Sequence, residues 1–89
     1  MKLIVTVVGK DRVGIIASVT KILADNGVNI TGINQNIFDG FFNMILFAES
    51  DENKIRLVDL QSALKTQGEE IGVEIKTQHR DIFDAMHKI

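Results

Sequence analysis

The chain of 89 residues contains no cysteine. This absence excludes disulfides, thiol nucleophiles and thiolate metal sites, and with them metal chaperones that hold their ion through two loop cysteines. Basic residues are also few: 10 Lys+Arg stand against 12 Asp+Glu, and the formal net charge is −2. Because no stripe of basic side chains could neutralise a phosphate backbone, nucleic acid is not an expected partner.

Long apolar runs are missing as well. The run that follows Lys2 ends after six residues at Gly9, short of the roughly 7–15 residues of a secretion signal's apolar core. We therefore expect a cytoplasmic protein without a membrane span. The length corresponds to one domain over 1–89, and the composition, 45% hydrophobic and 25% charged, is that of an ordinary globular chain.

Apolar spacing predicts an alternation of strands and helices. The predicted elements are a strand over 2–8, a helix from Gly14 to a stop at Asn26-Gly27, a hairpin of strands 28–39 and 41–50 around Asp39-Gly40, a second helix and a strand over 73–78. The first and third strands are apolar on both faces, which is typical of central strands. The last strand alternates apolar and polar residues as an exposed edge strand does.

The second helix and the chain end complete the pattern. Ser50, Asp51 and Glu52 are the expected cap and first-turn acids, and Gly68 is the expected stop. Apolar residues of 78–89 share one face of a short amphipathic helical tail. The order β-α-β-β-α-β predicts an α+β, ferredoxin-like fold: a four-stranded antiparallel sheet in the order 4-1-3-2, with two helices on one face and the short C-terminal helix.

Catalytic and metal-binding patterns are weak in this sequence. His79 and His87 lie eight residues apart without a third ligand, so solvated surface histidines are the simpler interpretation and no metal is expected. The charged loop has no Ser/His or Cys/His partner that could form a catalytic relay. No cofactor is expected. The phenylalanines of the third strand lack the paired motifs of RNA-binding sheets, so they are assigned to core or interface packing.

The stretch GKDRVGIIASVTKILADNGVNI, residues 9–30, resembles the ACT domain, a small regulatory module of amino-acid metabolism. The resemblance extends over nearly the whole chain, which is similar to short stand-alone ACT proteins of bacteria and archaea, related to the repressor-type ACT domains of the glycine-cleavage system. It implies a non-enzymatic sensor that binds a small molecule, typically an amino acid, between the first loop of one subunit and the second strand of a neighbour. The corresponding ligand-binding residues are Asp11, Arg12, Val13, Gly14, Ile15, Asn29 and Ile30. Val13 replaces a proline that many members carry.

Physical chemistry gives these positions plausible roles. Backbone N–H groups around Gly14 and Ile15 would bind a carboxylate at the helix start, Asn29 would hydrogen-bond the ligand, and Asp11 would face an ammonium. A homodimer or higher oligomer is expected because two helices cover only one face of the sheet. Two alternatives remain open. One is an enzyme like acylphosphatase, for which Arg12 and Asn43 are candidate residues, and the other is a purely structural dimerisation module.

Overall fold

A computed structural model describes residues 1–51, 53–81 and 84. The elements follow one another as β1 (Lys2–Lys10), α1 (Ile15–Asp25), β2 (Asn29–Phe38), β3 (Phe41–Glu49), α2 (Leu57–Ile71) and β4 (Val73–His79). The four strands form one antiparallel sheet in the order β2-β3-β1-β4. The predicted fold class and strand order are therefore confirmed, and the two most apolar strands are the inner ones. None of the helices in the described ranges is long and apolar enough to cross a bilayer.

The core lies between one face of the sheet and the two helices. Alternate residues of the inner strands point to this face and are almost fully buried: Leu3, Val5 and Val7 of β1, and Phe42, Met44, Leu46 and Ala48 of β3. They pack in one cluster with Ile15, Val19 and Leu23 of α1 and with Leu60 and Leu64 of α2. Both helices therefore cover the same face, which we call the helix face.

The opposite face of the sheet, the open face, carries the other residues of each strand. Ile4 is buried there at 1% exposure, whereas Val8 is 48% exposed and Phe41 63% exposed. The Arg80 guanidinium lies 5.0 Å from the centre of the Phe47 ring, a cation–π contact on this face. The apolar character of β1 and β3 on both faces is thus matched by partial burial of the second face.

The start of α2 differs from the prediction. Ser50 continues the β1–β3 pairing, because its N–H donates to the Met1 carbonyl at 2.9 Å. The Asp51 carboxylate accepts the Asn53 N–H at 2.9 Å and so closes a turn of its own, a local use of Asp that competes with helix capping. The helix consequently begins at Leu57, after an extended Arg56, and Glu52 lies outside the described residues.

The predicted stop at Gly68 is also wrong. Gly68 is buried inside α2, and the helix ends at Gly72, whose φ of 77° is left-handed. A Cβ on Gly68 would lie 2.6 Å from the carbonyl oxygen of Val73. The glycine is required because helix and strand approach closely here, and not because the chain must leave the helix.

The last strand is one residue longer than predicted. Gln78 pairs with Ile4 and His79 with Leu3, so β4 includes two residues that were assigned to the tail over 78–89. The strand extends to His79 because its last residues also pair with β1. Arg80, Asp81 and Asp84 are helical. The rest of the predicted tail, with His87, lies outside the described residues.

Candidate functional site

The loop between β1 and α1 is held by hydrogen bonds to two other parts of the fold. Asp11 donates its backbone N–H to the carbonyl of Gly40, in the turn of the β2–β3 hairpin, at 2.8 Å. Arg12 donates from Nη1 to the carbonyl of Ile71, at the C-terminal end of α2, at 3.1 Å. A guanidinium at the negative end of a helix dipole is favourably placed. The loop therefore joins the hairpin turn to the end of the second helix.

The first turn of α1 has free hydrogen-bond donors. Its N-cap is Gly14, with a φ of 95°, and this residue has no side chain that could accept a backbone N–H. No acidic residue occurs in the first turn. The N–H groups at the start of a helix have no intrahelical acceptor, and they form the positive end of the helix dipole. This helix start can therefore accept an anionic group from outside the chain.

A shallow cavity of about 210 Å³ opens at this helix start. Four of the predicted residues line it, together with five others: Asp11, Arg12, Gly14, Ile15, Ile16, Ala17, Gln35, Ile37 and Phe42. Typical sites for drug-sized ligands measure about 300–1,000 Å³, so this cavity matches a smaller metabolite. Val13 is 99% exposed and is not among the residues that line the cavity.

Asn29 and Ile30 lie elsewhere in the same chain. They border a second, open hollow of about 540 Å³ between α1 and the start of β2, which is also lined by Ala17, Thr20, Lys21, Ala24 and Val28. Ala17 lines both hollows, and the second extends from there along α1 toward the C-terminal end of the helix. One chain therefore does not bring the seven predicted residues together. Four of them line the first cavity, two line the second hollow, and Val13 lines neither.

Five lining residues were not predicted as site residues: Ile16 and Ala17 on α1, Gln35 and Ile37 on β2, and Phe42 on β3. The register pairs Gln35 with Met44 and Ile37 with Phe42, so these two side chains belong to the helix face. The two-residue turn at Asp39-Gly40 fixes that register. Counting alternate residues of β2 back from this turn would have placed Gln35 and Ile37 on the helix face, and this was the signal in the sequence for them.

The residues proposed for an acylphosphatase-like site do not share a pocket. Asn43 pairs with Val8 and lies on the open face of the sheet, while Arg12 contacts the end of α2. Within the described residues, no group of three or more His, Cys, Asp or Glu side chains could hold a metal ion.

A four-stranded antiparallel sheet with both helices on one face defines a ferredoxin-like α+β domain, here with an uncapped helix start beside its first loop. The family model of the ACT domain matches residues 1–78. A UPF0237 protein of Methanosarcina acetivorans is 44% identical over 88 residues, covering 99% of this chain and 96% of its own length. The chain belongs to the ACT domain family.

Solved structures agree with this assignment. An ACT domain protein from Streptococcus pneumoniae superimposes with a TM-score of 0.83 at 39% identity, covering 94% of each chain. A putative glycine cleavage system transcriptional repressor superimposes with a TM-score of 0.73 at 23% identity, covering 86% of this chain and 44% of its own, which supports the fold. ACT domains are regulatory, ligand-binding domains and not catalytic ones, so family membership indicates a regulatory role.

Proposed function

We propose that this chain is a non-enzymatic sensor, acting as a homodimer, that binds a small amino acid or a similar metabolite between two copies. The proposal takes residues 1–89 as one domain and keeps the cytoplasmic location expected from the sequence. The observation that carries it is the glycine-capped start of α1, whose free N–H groups border a small cavity.

The cavity offers complementary groups to the two charged ends of an amino acid. The ligand carboxylate would accept hydrogen bonds from the backbone near Gly14 and Ile15, and the Asp11 carboxylate would face the ammonium. Arg12 also borders the cavity, and its one hydrogen bond to the Ile71 carbonyl leaves other guanidinium N–H groups for the ligand. Val13 would contact the neighbouring copy, because a valine with 99% exposure has its whole apolar surface available.

The second copy would supply Asn29 and Ile30. Within one chain these residues do not line the cavity at the start of α1, so in this proposal they reach the ligand from the neighbouring chain. The Asn29 amide can donate and accept hydrogen bonds, and it would bind the polar part of the ligand.

The test begins with a thermal-shift screen of the wild-type protein against the proteinogenic amino acids, followed by titration calorimetry of the ligand selected. Removal of the Asn29 side chain takes away a hydrogen bond worth about 0.5–1.5 kcal/mol to a neutral group or about 1.5–3 kcal/mol to a charged group. We expect Asn29→Ala to lower the affinity roughly two-fold to a hundred-fold.

Asn43→Ala is the matched control. It makes the same substitution on an exposed position of the open face, so its affinity should equal that of the wild type. Unchanged affinity in a folded Asn29→Ala variant would remove Asn29 from the site. A wild-type protein that binds no amino acid would leave the structural dimerisation module as the function.

A further inference from the structure

A groove of about 550 Å³ lies between α2 and β4, at the edge of the sheet opposite to β2. Gly68 of α2 lines it together with Val73 and Ile75 of β4. The groove continues along β4 into a smaller hollow of about 250 Å³, which Thr77 and Gln78 border. None of the residues predicted for the ligand site lines it. This groove is therefore separate from the cavity at the start of α1.

Every second residue of β4 directs its backbone N–H and C=O groups to the outer edge of the sheet. Gln61 of α2 donates from Nε2 to the Thr77 carbonyl at 2.7 Å, which identifies Thr77 as one of these residues. Because hydrogen bonding alternates along an antiparallel pair, Val73 and Ile75 belong to the same set. Among the described residues, the Ile75 N–H and C=O groups have no partner at this edge. They can bind one residue of an added strand.

The two ends of the groove carry opposite charges. Helix α2 and strand β4 run in opposite directions, since Gly68 lies beside the Val73 carbonyl and Gln61 beside the Thr77 carbonyl.

Glu69 and Glu74 consequently border one end of the groove, and Lys65 and Lys76 border the other. All four side chains are exposed. Glu74 and Lys76 form an ion pair of 3.5 Å, and an exposed pair of this kind contributes little to stability, so both groups are available to a binding partner.

We propose that the groove binds an extended segment of a partner protein, which joins the sheet as a strand antiparallel to β4. The segment residue opposite Ile75 is apolar, because its side chain lies on the helix face. The residue before it is acidic and lies opposite Lys76, and the residue after it is basic and lies opposite Glu74. Opposite charges across a strand pair stabilise it and like charges destabilise it, so these two positions select the sequence of the segment.

The β4 strand of a second copy has the same order of charges, but it does not fit this edge. The Cα atoms of α2 come within 8 Å of β4 and of no other strand in the described residues, so the helix lies over the edge strand. Paired strands are about 4.7–4.9 Å apart, whereas packed helices are about 8–10 Å apart. Two copies paired through β4 would force their α2 helices too close together. A segment without such a helix avoids this clash.

The position of the groove suits a regulatory protein, and this part of the argument rests on the proposed function. Arg12 borders the cavity at the start of α1 and donates to the Ile71 carbonyl at 3.1 Å. Ile71 is followed by Gly72, which lines the groove. A ligand that binds Arg12 would compete for this hydrogen bond and so act on the end of α2 that borders the partner segment.

The test uses the pentapeptide Val-Glu-Val-Lys-Val, acetylated and amidated at its ends, as the probe. It is titrated into the isotope-labelled full chain and followed by NMR spectroscopy. We expect the backbone amide signals of Val73, Ile75 and Thr77 to shift and to saturate at millimolar peptide, and those of Ile33 and Ile37 on the other edge strand to stay unchanged. Shifts elsewhere in place of these signals, or none at millimolar peptide, would overturn the proposal.

Two N-methylated forms of the probe distinguish strand pairing from other binding. Methylation at the central valine removes the N–H that would donate to the Ile75 carbonyl, whereas methylation at the lysine removes an N–H that points away from β4. We expect the first form to bind about ten-fold more weakly than the probe, and the second to bind within about two-fold of it. Equal affinities of the two forms would refute the pairing with β4.

The reversed peptide, Val-Lys-Val-Glu-Val, has the same composition and is the control for charge. Antiparallel to β4 it places its lysine opposite Lys76 and its glutamate opposite Glu74, and the parallel arrangement that would restore the charge match is less stable. We expect it to bind roughly two-fold to ten-fold more weakly. Equal or tighter binding would refute the antiparallel arrangement. These titrations contain no amino-acid ligand, so a chain that binds the probe and no amino acid would refute the proposed function alone.

Discussion

Replacing Gly14 by alanine tests whether the start of α1 binds the ligand. Gly14 has a φ of 95°, a conformation that costs a residue with a Cβ roughly 1–2 kcal/mol. Alanine also removes unfolded-state entropy, which returns about 0.4–1 kcal/mol. Apart from its chain neighbours, no atom of the described residues lies within 4 Å of the position of the new Cβ, so no steric clash with them adds to the strain. The expected net loss is about 1 kcal/mol, or a melting temperature lower by about 4–8 °C for a domain of this size.

Gly72→Ala supplies the matched control. Gly72 ends α2 with a φ of 77°, and a Cβ there would also have no atom of the described residues within 4 Å beyond its chain neighbours. The strain is therefore similar, but Gly72 does not border the cavity at the start of α1. Both variants should lose comparable stability, which chemical denaturation followed by circular dichroism will measure.

Ligand affinity should separate the two variants. Relief of strain at Gly14 turns the peptide unit that carries the Ile15 N–H, and a hydrogen bond from this group to a carboxylate is worth about 1.5–3 kcal/mol. We expect calorimetry to show affinity reduced about ten-fold to a hundred-fold in Gly14→Ala and within two-fold of wild type in Gly72→Ala. Equal affinities in the two folded variants would refute the assignment of the carboxylate to this helix start.

Two further predictions concern packing and catalysis. Gly68→Ala should destabilise the fold, because a new Cβ would lie 2.6 Å from the Val73 carbonyl oxygen and overpacking costs about 1–3 kcal/mol. At an exposed position in the middle of a helix, the same substitution would instead stabilise the protein by about 1 kcal/mol. Ser62→Ala, at an exposed position of the same helix, is the control for helix propensity. A raised denaturation midpoint in Gly68→Ala would contradict the close approach of α2 to the Val73 carbonyl. The purified protein should not hydrolyse an acyl phosphate, because Arg12 contacts the Ile71 carbonyl and shares no pocket with the asparagine that such a site needs. Turnover that disappears in Arg12→Ala would show the opposite.

Local patterns were sufficient to predict the sheet. Apolar residues on both faces of β1 and β3 identified the inner strands, and Asp39-Gly40 identified the hairpin turn. Local patterns failed where side-chain hydrogen bonds and tertiary packing compete with local signals. Asp51 closes a turn of its own instead of capping α2, and Gly68 serves a close approach between helix and strand. Neither fact is visible in the spacing of apolar residues.

The candidate site was predictable to the extent that it is local. Asp11, Arg12, Gly14 and Ile15 are neighbours in sequence, and the structure places them around one cavity. The contributions of Gln35 and Ile37 depend on the strand register and on the position of α1 beside β2. The proposed contact of Asn29 with the same ligand depends in addition on a second chain, which no periodicity within one chain can describe.

Two departures from ordinary local rules occur on the same side of this molecule. Helix α1 begins without a side-chain cap, which is worth about 0.5–2 kcal/mol, and β2 forms an edge without charge. Such departures are expected at functional sites, where another molecule supplies the missing interaction. In the proposed function, a ligand carboxylate would supply the acceptor at the helix start. If that ligand lies between two copies, the factor by which dimerisation raises ligand affinity must equal the factor by which the ligand raises dimer affinity. Ligand binding would then favour assembly of the protein, and the uncapped helix start would be the place where binding and assembly are coupled.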